Sequence, residues 1–526
     1  MESFKLKFVV RQRNFPVPKT ERSVAFLHAD HWDDWGKFQT LFHLYFFDDT
    51  GIRHDIGSVK IGQFGLKGGG SISNKPGERY PQLPETFDML NESFFSLGQD
   101  ENYYEAIGKL SENTRKAICL GIRDVVFDKQ LWEKSLDEEV MVESLLRFVD
   151  RKNVEEQFQR LLKGADRLIG FSFKYRFPKS RAMIGKIPEM VFNISPKSSP
   201  PTNIHVLIGK NGVGKTQTLN QMARAISGGT DDSDGFGEFR NSDSTTKDHS
   251  LFSSVLNVSF SAFDDFEIQI DSPVRPRKIR HNYVGLKQKG KDGKIYKAPK
   301  GPEALASEFS SSLEICQVGN RLGRWRDLIK ILESDSIIKE SGFSHIGDRL
   351  IHGGAFELTS ASKIFGQLSS GHKIVLLAIT KMVEIVNENT LILFDEPETH
   401  LHPPLLSAFI RALSELLSSR NGVAIVATHS PVVLQEVPQE CVWILKRAGS
   451  EIDVERPRIQ TFGENVGTIT REVFGLEVSK SGFHKMLLHE VEALKSYEEI
   501  ISHFENKLGG EAHAILLALL ATRRES

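Results

Sequence analysis

The first 66 residues alternate between apolar and polar positions, which is the pattern of half-buried β-strands. Stretches such as Phe4–Val10, Leu41–Phe47 and Gly57–Phe64 carry this alternation, and turn residues separate them. From about residue 84 to residue 162 the apolar spacing changes to three and four, which predicts helices. We therefore expect an N-terminal domain over residues 1–165 that combines a sheet with helices.

Alternation resumes at Phe171–Phe177. Largely apolar runs follow at Ile204–Ile208, Leu391–Phe394 and Val423–Ala427, and each has the length expected of a buried strand. Helical segments lie between these runs. This order of strands and helices predicts an α/β domain over residues 166–475.

The end of the chain has a helical pattern. From Leu487 onward, apolar residues recur at steps of three and four and predict one helical stripe. A second short helix, Ala512–Thr522, follows two glycines. We expect a helical C-terminal tail over residues 476–526, which either packs on the preceding domain or docks a partner subunit. The residues of the stripe are Val491, Leu494, Tyr497, Ile501, Phe504 and Leu508.

Composition narrows the class of protein. The chain has 526 residues, 39% of them apolar and 26% charged, which is ordinary for a globular protein of two or three domains. Its net charge of −2 points to no class of partner. Cys119, Cys316 and Cys441 lie far apart and are expected to be core thiols. Because no apolar run approaches the ~20 residues of a membrane span, we expect a cytoplasmic protein without membrane contact.

One glycine-rich stretch predicts a phosphate-binding loop. Directly after Ile204–Ile208 the chain reads G-x-x-x-x-G-K-T and continues into a helical segment. In such a loop, Lys215 reaches the β- and γ-phosphates and the Thr216 hydroxyl holds Mg²⁺. We therefore expect ATP and Mg²⁺ as cofactors. The predicted nucleotide-binding residues are Gly209, Lys210, Asn211, Gly212, Val213, Gly214, Lys215, Thr216 and Gln217.

Polar residues at the ends of two later strands complete this site. The run Leu391–Phe394 ends in Asp395 and Glu396, and Val423–Ala427 leads to His429. We expect Asp395 to bind Mg²⁺ together with Thr216. Glu396 is expected to polarise the attacking water, and His429 to sense the γ-phosphate. The predicted catalytic residues are Glu396, His429 and Lys215.

Residues 272–300 hold the strongest local concentration of positive charge. We read them as a basic hairpin inserted in the α/β domain, with its tip at Lys291–Lys294. Such a ribbon suits a phosphate backbone, although a solvated hairpin or one that pairs with acids in an assembly fits equally well. Arg321–Arg326 is the next candidate for nucleic-acid contact. The predicted contacts are Arg275, Arg277, Lys278, Arg280, Lys287, Lys289, Lys291 and Lys294.

Aromatic residues of the N-terminal domain are open to two interpretations. They could stack on the bases of a nucleic acid, or they could form the core of the predicted sheet. They are Trp32, Trp35, Phe42, Tyr45, Phe46 and Phe47.

Two motifs resemble those of ABC-type ATPases. Leu368–Lys373 is similar to their signature motif, and Asp395–Pro403 is similar to the Walker-B and D-loop segment of the soluble branch, which includes RecF-like and OLD-like proteins. The resemblance covers residues 166–475 and implies a homodimer or higher homo-oligomer. In it, Ser370 and Gly371 would cap the γ-phosphate bound by the partner copy. His372 stands where many members have glutamine, and Ser370 where many have glycine.

Two further positions follow from this resemblance. Gln269 is the nearest candidate for the glutamine of the family's Q-loop. His400 and His402 could suggest a metal site, but two histidines without further ligands favour a structural role.

The complete pattern resembles the PtuA-like ATPase subunit of Septu or retron-associated anti-phage defence systems. That resemblance implies a chain that gates a separate nuclease subunit of HNH type, because no second catalytic constellation occurs in this sequence. It also allows nucleic acid as a partner. The alternatives are a RecF-like DNA-repair ATPase and, less well supported, the nucleotide-binding subunit of a transporter.

Overall fold

The structure of the chain is a computed structural model. Among the residues it describes, no helix is long and apolar enough to cross a membrane. The described residues are 6–12, 16, 18–30, 32–34, 36–68, 79–149, 151–165, 168–179, 187–227, 235–242, 251–260, 279–289, 295–317, 320–351, 357–449, 451–474, 482–493 and 496–525.

The N-terminal domain is built on a six-stranded sheet of order β5-β1-β2-β3-β4-β6. Its first two strands run parallel, and the remaining neighbours are antiparallel. Alternate residues face the helices, so Phe42 and Phe46 are buried in the domain core. The strands are β1 (Lys7–Arg11), β2 (Val24–Ala29), β3 (Leu41–Phe47), β4 (Arg53–Gln63), β5 (Thr86–Phe87) and β6 (Phe94–Gly98).

Four short α-helices and two π-helical turns cover this sheet. Asp100, Ser111 and Asp128 accept hydrogen bonds from the backbone N–H groups at the starts of the first three helices. The described part of the chain therefore confirms a sheet-plus-helices domain. The helices are α1 (Glu101–Gly108), α2 (Glu112–Gly121), α3 (Lys129–Ser135) and α4 (Gln159–Leu162), and the π-helical turns are Met141–Leu145 and Asn153–Phe158.

The aromatic residues of this domain belong mainly to its interior. Phe42, Phe46 and Phe47 are 7%, 2% and 0% exposed, and a base could not stack on them without unfolding the sheet. Tyr45 is partly buried beside His28 and His43. Trp32 donates its ring N–H to Asp34, whereas Trp35 lies outside the described residues.

The second domain is organised around a seven-stranded sheet of order β12-β11-β15-β16-β9-β17-β18. All neighbours in it are parallel except the last pair. A three-stranded antiparallel sheet, β10-β7-β8, packs beside it. The strands are β7 (Phe171–Arg176), β8 (Glu189–Ile194), β9 (Ile204–Ile208), β10 (Glu238–Asn241), β11 (Ser254–Ser259), β12 (Arg280–Gly285), β13 (Lys287–Lys289), β14 (Ile295–Pro299), β15 (Thr390–Asp395), β16 (Val423–Thr428), β17 (Val442–Ala448) and β18 (Glu451–Glu455).

Helices cover both faces of the seven-stranded sheet. The helices of this domain are α5 (Lys215–Ser227), α6 (Pro302–Cys316), α7 (Arg321–Leu332), α8 (Ser336–Ser341), α9 (Phe343–Ile351), α10 (Glu357–Gln367), α11 (Ser370–Ile385), α12 (Pro403–Ser418), α13 (Pro431–Leu434) and α14 (Val466–Phe474). Short 3₁₀ turns span Pro397–His400 and Gln439–Cys441.

The central strands are buried on both faces, which explains their continuous apolar sequence. Ile392 and Phe394 pack with α6, α7, α11 and α12 on one side of the sheet. Leu391 and Leu393 pack with α5 and the three-stranded sheet on the other. This arrangement is a mixed α/β fold, as predicted. The cysteines are all free and buried, as expected of core thiols: Cys119, Cys316 and Cys441.

Buried ion pairs join the two domains. Glu101 of α1 is 1% exposed and accepts hydrogen bonds from Arg324 of α7, at 2.8 Å, and from Arg420, which follows α12. Arg160 of α4 donates to Glu388, just before β15, at 2.9 Å. The N-terminal domain is therefore fastened to the second domain through desolvated charges.

This junction changes the interpretation of Arg321–Arg326. Arg321 is 4% exposed and donates to the Phe148 carbonyl at 2.9 Å. Arg324 is held by Glu101, and Arg326 pairs with Asp327 and Asp348. Arg321 and Arg324 are thus engaged in largely buried contacts within the chain, which contradicts the interpretation of them as nucleic-acid contacts, whereas for the partly exposed Arg326 it stays a prediction.

The C-terminal tail is helical, but its apolar stripe is not one helix. Ser496 interrupts it, accepts a hydrogen bond from Glu499 N–H and forms a capping box that starts a new helix. Val491, Ile500 and Leu516 form a small core of the tail's own. Two helices, α15 (Gly482–Glu492) and α16 (Tyr497–His503), therefore replace the predicted single stripe, whereas the predicted short helix Ala512–Thr522 lies within α17 (Gly510–Glu525).

His205 on β9 makes folding sensitive to acid. It is 0% exposed against Phe192, and burial, with Arg456 nearby, lowers its pKa to about 3. The pKa of His205 is lower in the folded chain than in the unfolded chain. Below about pH 6.5 the unfolded chain therefore binds an extra proton, and the free energy of unfolding decreases as the pH is lowered.

We expect His205→Leu to remove part of that acid sensitivity. Between pH 7.5 and pH 5 the variant should lose about 1–2 kcal/mol less stability than the native chain, since one pKa unit corresponds to about 1.4 kcal/mol. Urea unfolding at the two pH values measures the difference. Equal losses in both proteins would show that His205 does not set the acid response.

Candidate nucleotide-binding site

The predicted phosphate loop lies between β9 and α5, at the carboxyl end of the parallel strands. Gly212 and Gly214 have φ angles of +77° and +102°, which glycine adopts more readily than residues with a side chain. A Cβ on Gly209 would lie 2.5 Å from the Leu445 carbonyl oxygen of β17. The three glycines are thus required by the path of the backbone.

Lys215 starts α5 and points back over the loop. Its Nζ donates to the Gly209 carbonyl at 2.9 Å and to the Lys210 carbonyl at 3.2 Å. Burial lowers the pKa of Lys215, and the carboxylates of Glu396 and Asp395 act in the opposite direction. The ammonium group is held where a phosphate in the loop would meet it.

Thr216 and Asp395 meet although 179 positions separate them. The Thr216 hydroxyl donates to the two carboxylate oxygens of Asp395, at 3.1 and 2.9 Å. Asp395 is 3% exposed at the end of β15. A hydroxyl and a carboxylate side by side are the oxygen donors that Mg²⁺ prefers, so these residues fit a magnesium ion bound with the nucleotide.

Glu396 has an unusual backbone conformation. Its φ and ψ of 47° and 64° are left-handed, which costs a residue with a side chain about 1–3 kcal/mol. The Glu396 N–H donates to the Ala427 carbonyl of β16 at 2.9 Å, and Pro397 follows. The side chain is 33% exposed and approaches His429, with Oε1 3.6 Å from Nδ1. The structure therefore brings Glu396 and His429 together, as the strand ends predicted.

Glu398 is a residue of this site that the sequence analysis missed. Its Oε1 accepts hydrogen bonds from the Thr428 hydroxyl at 2.6 Å and the His429 N–H at 2.8 Å, and lies 3.0 Å from His429 Nδ1. Its Oε2 is buried without a hydrogen-bond partner in the described part of the chain. The sequence feature that could have identified Glu398 is its position two residues after Glu396, as a third acidic residue in Asp395–Glu398.

Arg447 was also missed. It lies near the end of β17, beside the phosphate loop, and a Cβ on Gly214 would be 3.6 Å from its guanidinium NH1. Gln217 lies on the same side, with Oε1 3.6 Å from that position. Arg447 stands 232 positions from Lys215 in the sequence, and only the pairing of β9 with β17 brings it here.

The signature residues Ser370 and Gly371 begin α11. This helix packs on α6, α7, α12 and the turn Pro397–His400, whereas α5 packs on β10, β15 and β16. A Cβ on Gly371 would lie 2.4 Å from the His400 carbonyl oxygen, so glycine is required there too. The role of Ser370 and Gly371 toward a partner's nucleotide stays a prediction.

The basic segment is described in part. Arg280 begins β12, the edge strand of the seven-stranded sheet, so it does not belong to the predicted hairpin; among the described residues the hairpin strands are β13 and β14. Lys287 and Lys289 lie on β13. Arg275, Arg277, Lys278, Lys291, Lys294 and the Q-loop candidate Gln269 lie outside the described residues.

Part of the second domain matches a known protein family, and several solved structures have low similarity to the chain. Residues 339–435 match the profile of the family described as "AAA domain, putative AbiEii toxin, Type IV TA system". An ATP-binding cassette of an ABC transporter in its ADP conformation is 13% identical, covers 59% of this chain and 98% of that chain, and has a TM-score of 0.30. The SMC head bound to the winged-helix domain of ScpA is 11% identical over 55% of this chain and 97% of that chain, with a TM-score of 0.24.

One relative matches over nearly the whole length. Protein ea59 of Escherichia phage lambda is 39% identical over 539 aligned positions, which cover 99% of this chain and 99% of the relative. The match therefore extends over both domains and the tail. The chain therefore belongs to the same family as protein ea59 of phage lambda.

Proposed function

We propose that this protein binds ATP with Mg²⁺ and hydrolyses it. The observation that carries the proposal is the meeting of Thr216 with Asp395 beside Lys215, with Glu396 next in the chain. Residues from three strand ends converge on one phosphate loop, which is the arrangement that phosphoryl transfer to water needs.

Each residue has a role that follows from its position. Lys215 and the loop N–H groups bind the phosphates and neutralise their charge. Asp395 and Thr216 would hold Mg²⁺, which supplies charge stabilisation at the phosphates. Glu396 accepts a proton from the attacking water. His429, held by Glu398, donates toward the γ-phosphate.

We further propose that two copies bind ATP between them. Ser370 and Gly371 of one copy would then contact the γ-phosphate bound by the other, as in the ABC-type ATPases that the signature motif resembles. α11 packs with α6, α7 and α12, whereas α5, which follows the phosphate loop, packs with β10, β15 and β16. Because the two helices lie in different layers, this arrangement supports contact of Ser370 and Gly371 with the partner's nucleotide.

The finer parts of the proposal rest on the sequence pattern. In them, ATP-dependent association gates a separate HNH-type nuclease in an anti-phage defence complex, and the basic segment contacts nucleic acid. A RecF-like role in DNA repair is the alternative. Copurification with the products of neighbouring genes separates the two, since a nuclease partner favours defence and gapped DNA alone favours repair.

Lys215→Ala tests the proposal at the phosphate loop. Because Lys215 would make charge-assisted hydrogen bonds to two phosphates of bound ATP, we expect its loss to weaken ATP binding roughly a hundredfold or more. Isothermal titration of the chain with Mg-ATP measures the change.

Lys446→Ala is the matched control. Lys446 lies on β17 and forms an exposed ion pair with Glu455 at 2.5 Å. Its removal should leave ATP affinity unchanged. If Lys215→Ala bound ATP as tightly as this control, the phosphate-loop assignment would be wrong.

A further inference from the structure

Three side chains outside the nucleotide site converge on one point. His372 lies in the first turn of α11, His402 precedes α12, and Asp335 precedes α8. Their ligand atoms all lie within 4.8 Å of one another. His372 Nε2 is 3.2 Å from Asp335 Oδ1, and His402 Nε2 is 3.3 Å from Asp335 Oδ2.

We propose that Asp335, His372 and His402 form a binding site for a divalent transition-metal ion such as Zn²⁺. Zinc binds imidazole nitrogen and carboxylate oxygen at about 2.0–2.2 Å, which places tetrahedral ligands about 3.4 Å apart. The two distances run to different oxygens of Asp335, and each is close to that spacing, so small adjustments would bring all three residues within reach of one ion. Two imidazoles and one carboxylate favour zinc, cobalt or nickel over magnesium, which prefers oxygen ligands.

The surroundings of the three residues favour a bound cation. Ser369 Oγ lies 2.6 Å from His372 Nδ1, and an outer hydrogen bond of this kind orients a metal-binding imidazole. Asp335 and His372 have side chains that are 8% and 6% exposed, while His402 is 51% exposed. The cluster is thus buried on one side and open on the other, where water can supply a fourth ligand.

One contact changes when the ion binds. Leu405 N–H donates to His402 Nδ1 at 3.2 Å and caps α12. If Nε2 binds the ion, the ring proton moves to Nδ1, which can then no longer accept a hydrogen bond from Leu405 N–H. The capping hydrogen bond is therefore lost, and a coordinate bond to the ion is formed. The proton stays on the ring, and the chain's charge is unchanged by this step.

The ion would join two segments that matter for the candidate nucleotide site. It would tie the signature turn, through His372, to the segment that follows Asp395 and Glu396, through His402. Gly371 already packs closely on the His400 carbonyl between them. Metal binding would therefore stiffen the signature turn against the nucleotide-binding strand ends, while binding itself does not depend on ATP hydrolysis.

The test uses the full chain, purified without a histidine tag and stripped with a chelator. Equilibrium dialysis against Zn²⁺ should give one ion per chain, and Co²⁺ should develop the visible absorption of a four-coordinate site. In Asp335→Asn and His402→Asn we expect affinity at least tenfold weaker. Asparagine is a good N-cap residue, so both variants keep the capping acceptor of their helix while they lose the ligand.

Two controls separate this site from its neighbours. His400→Asn lies two residues from His402, and its ring contacts the Phe260 carbonyl at 3.3 Å, so zinc binding should be unchanged. Asp395→Asn removes the expected Mg²⁺ ligand and should also leave zinc binding unchanged. Absence of bound zinc in the native chain, or equal binding in all variants, would overturn the proposal. Asp335, His372 and His402 would then only form hydrogen bonds with one another.

Discussion

Replacement of Glu396 by glutamine is expected to stop ATP turnover without preventing ATP binding. Glutamine keeps the size of the side chain but cannot accept the proton of the attacking water, and loss of a general base costs about 10²–10⁴ in rate. The left-handed backbone at this residue is kept, because glutamine and glutamate have similar demands on φ. Lys215, Thr216 and Asp395 are untouched.

We therefore expect the rate of ATP hydrolysis to fall while the affinity for ATP stays unchanged. Phosphate release should fall by that factor, while titration with Mg-ATP shows native affinity and size-exclusion chromatography shows a stable dimer with ATP. Glu415→Gln, on the exposed face of α12, should behave like the native chain. Normal turnover in Glu396→Gln would remove Glu396 from its role, and a monomer that turns over ATP at full speed would refute the dimer.

Replacement of Asp34 by alanine is expected to destabilise the N-terminal domain by about 3–5 kcal/mol. Asp34 and Lys60 are 1% and 0% exposed and lie 2.8 Å apart. Asp34 also accepts hydrogen bonds from the Trp32 ring N–H, the Ser144 hydroxyl and Arg147, at 2.6–2.9 Å. The variant leaves the buried Lys60 ammonium without its carboxylate, and burial already lowers the pKa of Lys60 to about 8.

Urea unfolding followed by tryptophan fluorescence measures this loss. Lys116→Ala is the control, since Lys116 forms an exposed pair with Glu112 on α2 that is worth less than about 1 kcal/mol. A small effect of Asp34→Ala, similar to that of the control, would mean that water or a rearranged side chain compensates the lost carboxylate.

The geometry of the candidate nucleotide site could be predicted from the sequence because its parts are local. Gly209–Thr216 and Asp395–Glu396 each follow a buried strand, and parallel strands bring their carboxyl ends to one edge. Knowledge of the strand ends was therefore enough to place Lys215, Asp395 and His429 near one another. The α/β class follows from the same alternation of apolar runs and helices.

Other contacts depend on how helices pack, which the local pattern does not encode. Asp335 is 37 positions from His372 and 67 from His402, and nothing in its own neighbourhood suggests a ligand. The break at Ser496 was hidden because the apolar spacing continues across it. Arg324 was misread for the same reason, since its partner Glu101 is 223 positions away.

The buried carboxylate of Glu101 has a consequence for genetic experiments. If residues 1–165 were deleted, Arg324 and Arg420 would lose the Glu101 carboxylate, and Glu388 would lose Arg160. Because these buried ion pairs would be broken, we expect the truncated protein to be less stable and less abundant than the full chain. A loss of phenotype after such a deletion would report on protein abundance, so the contribution of the first domain has to be tested with point variants on its outer face.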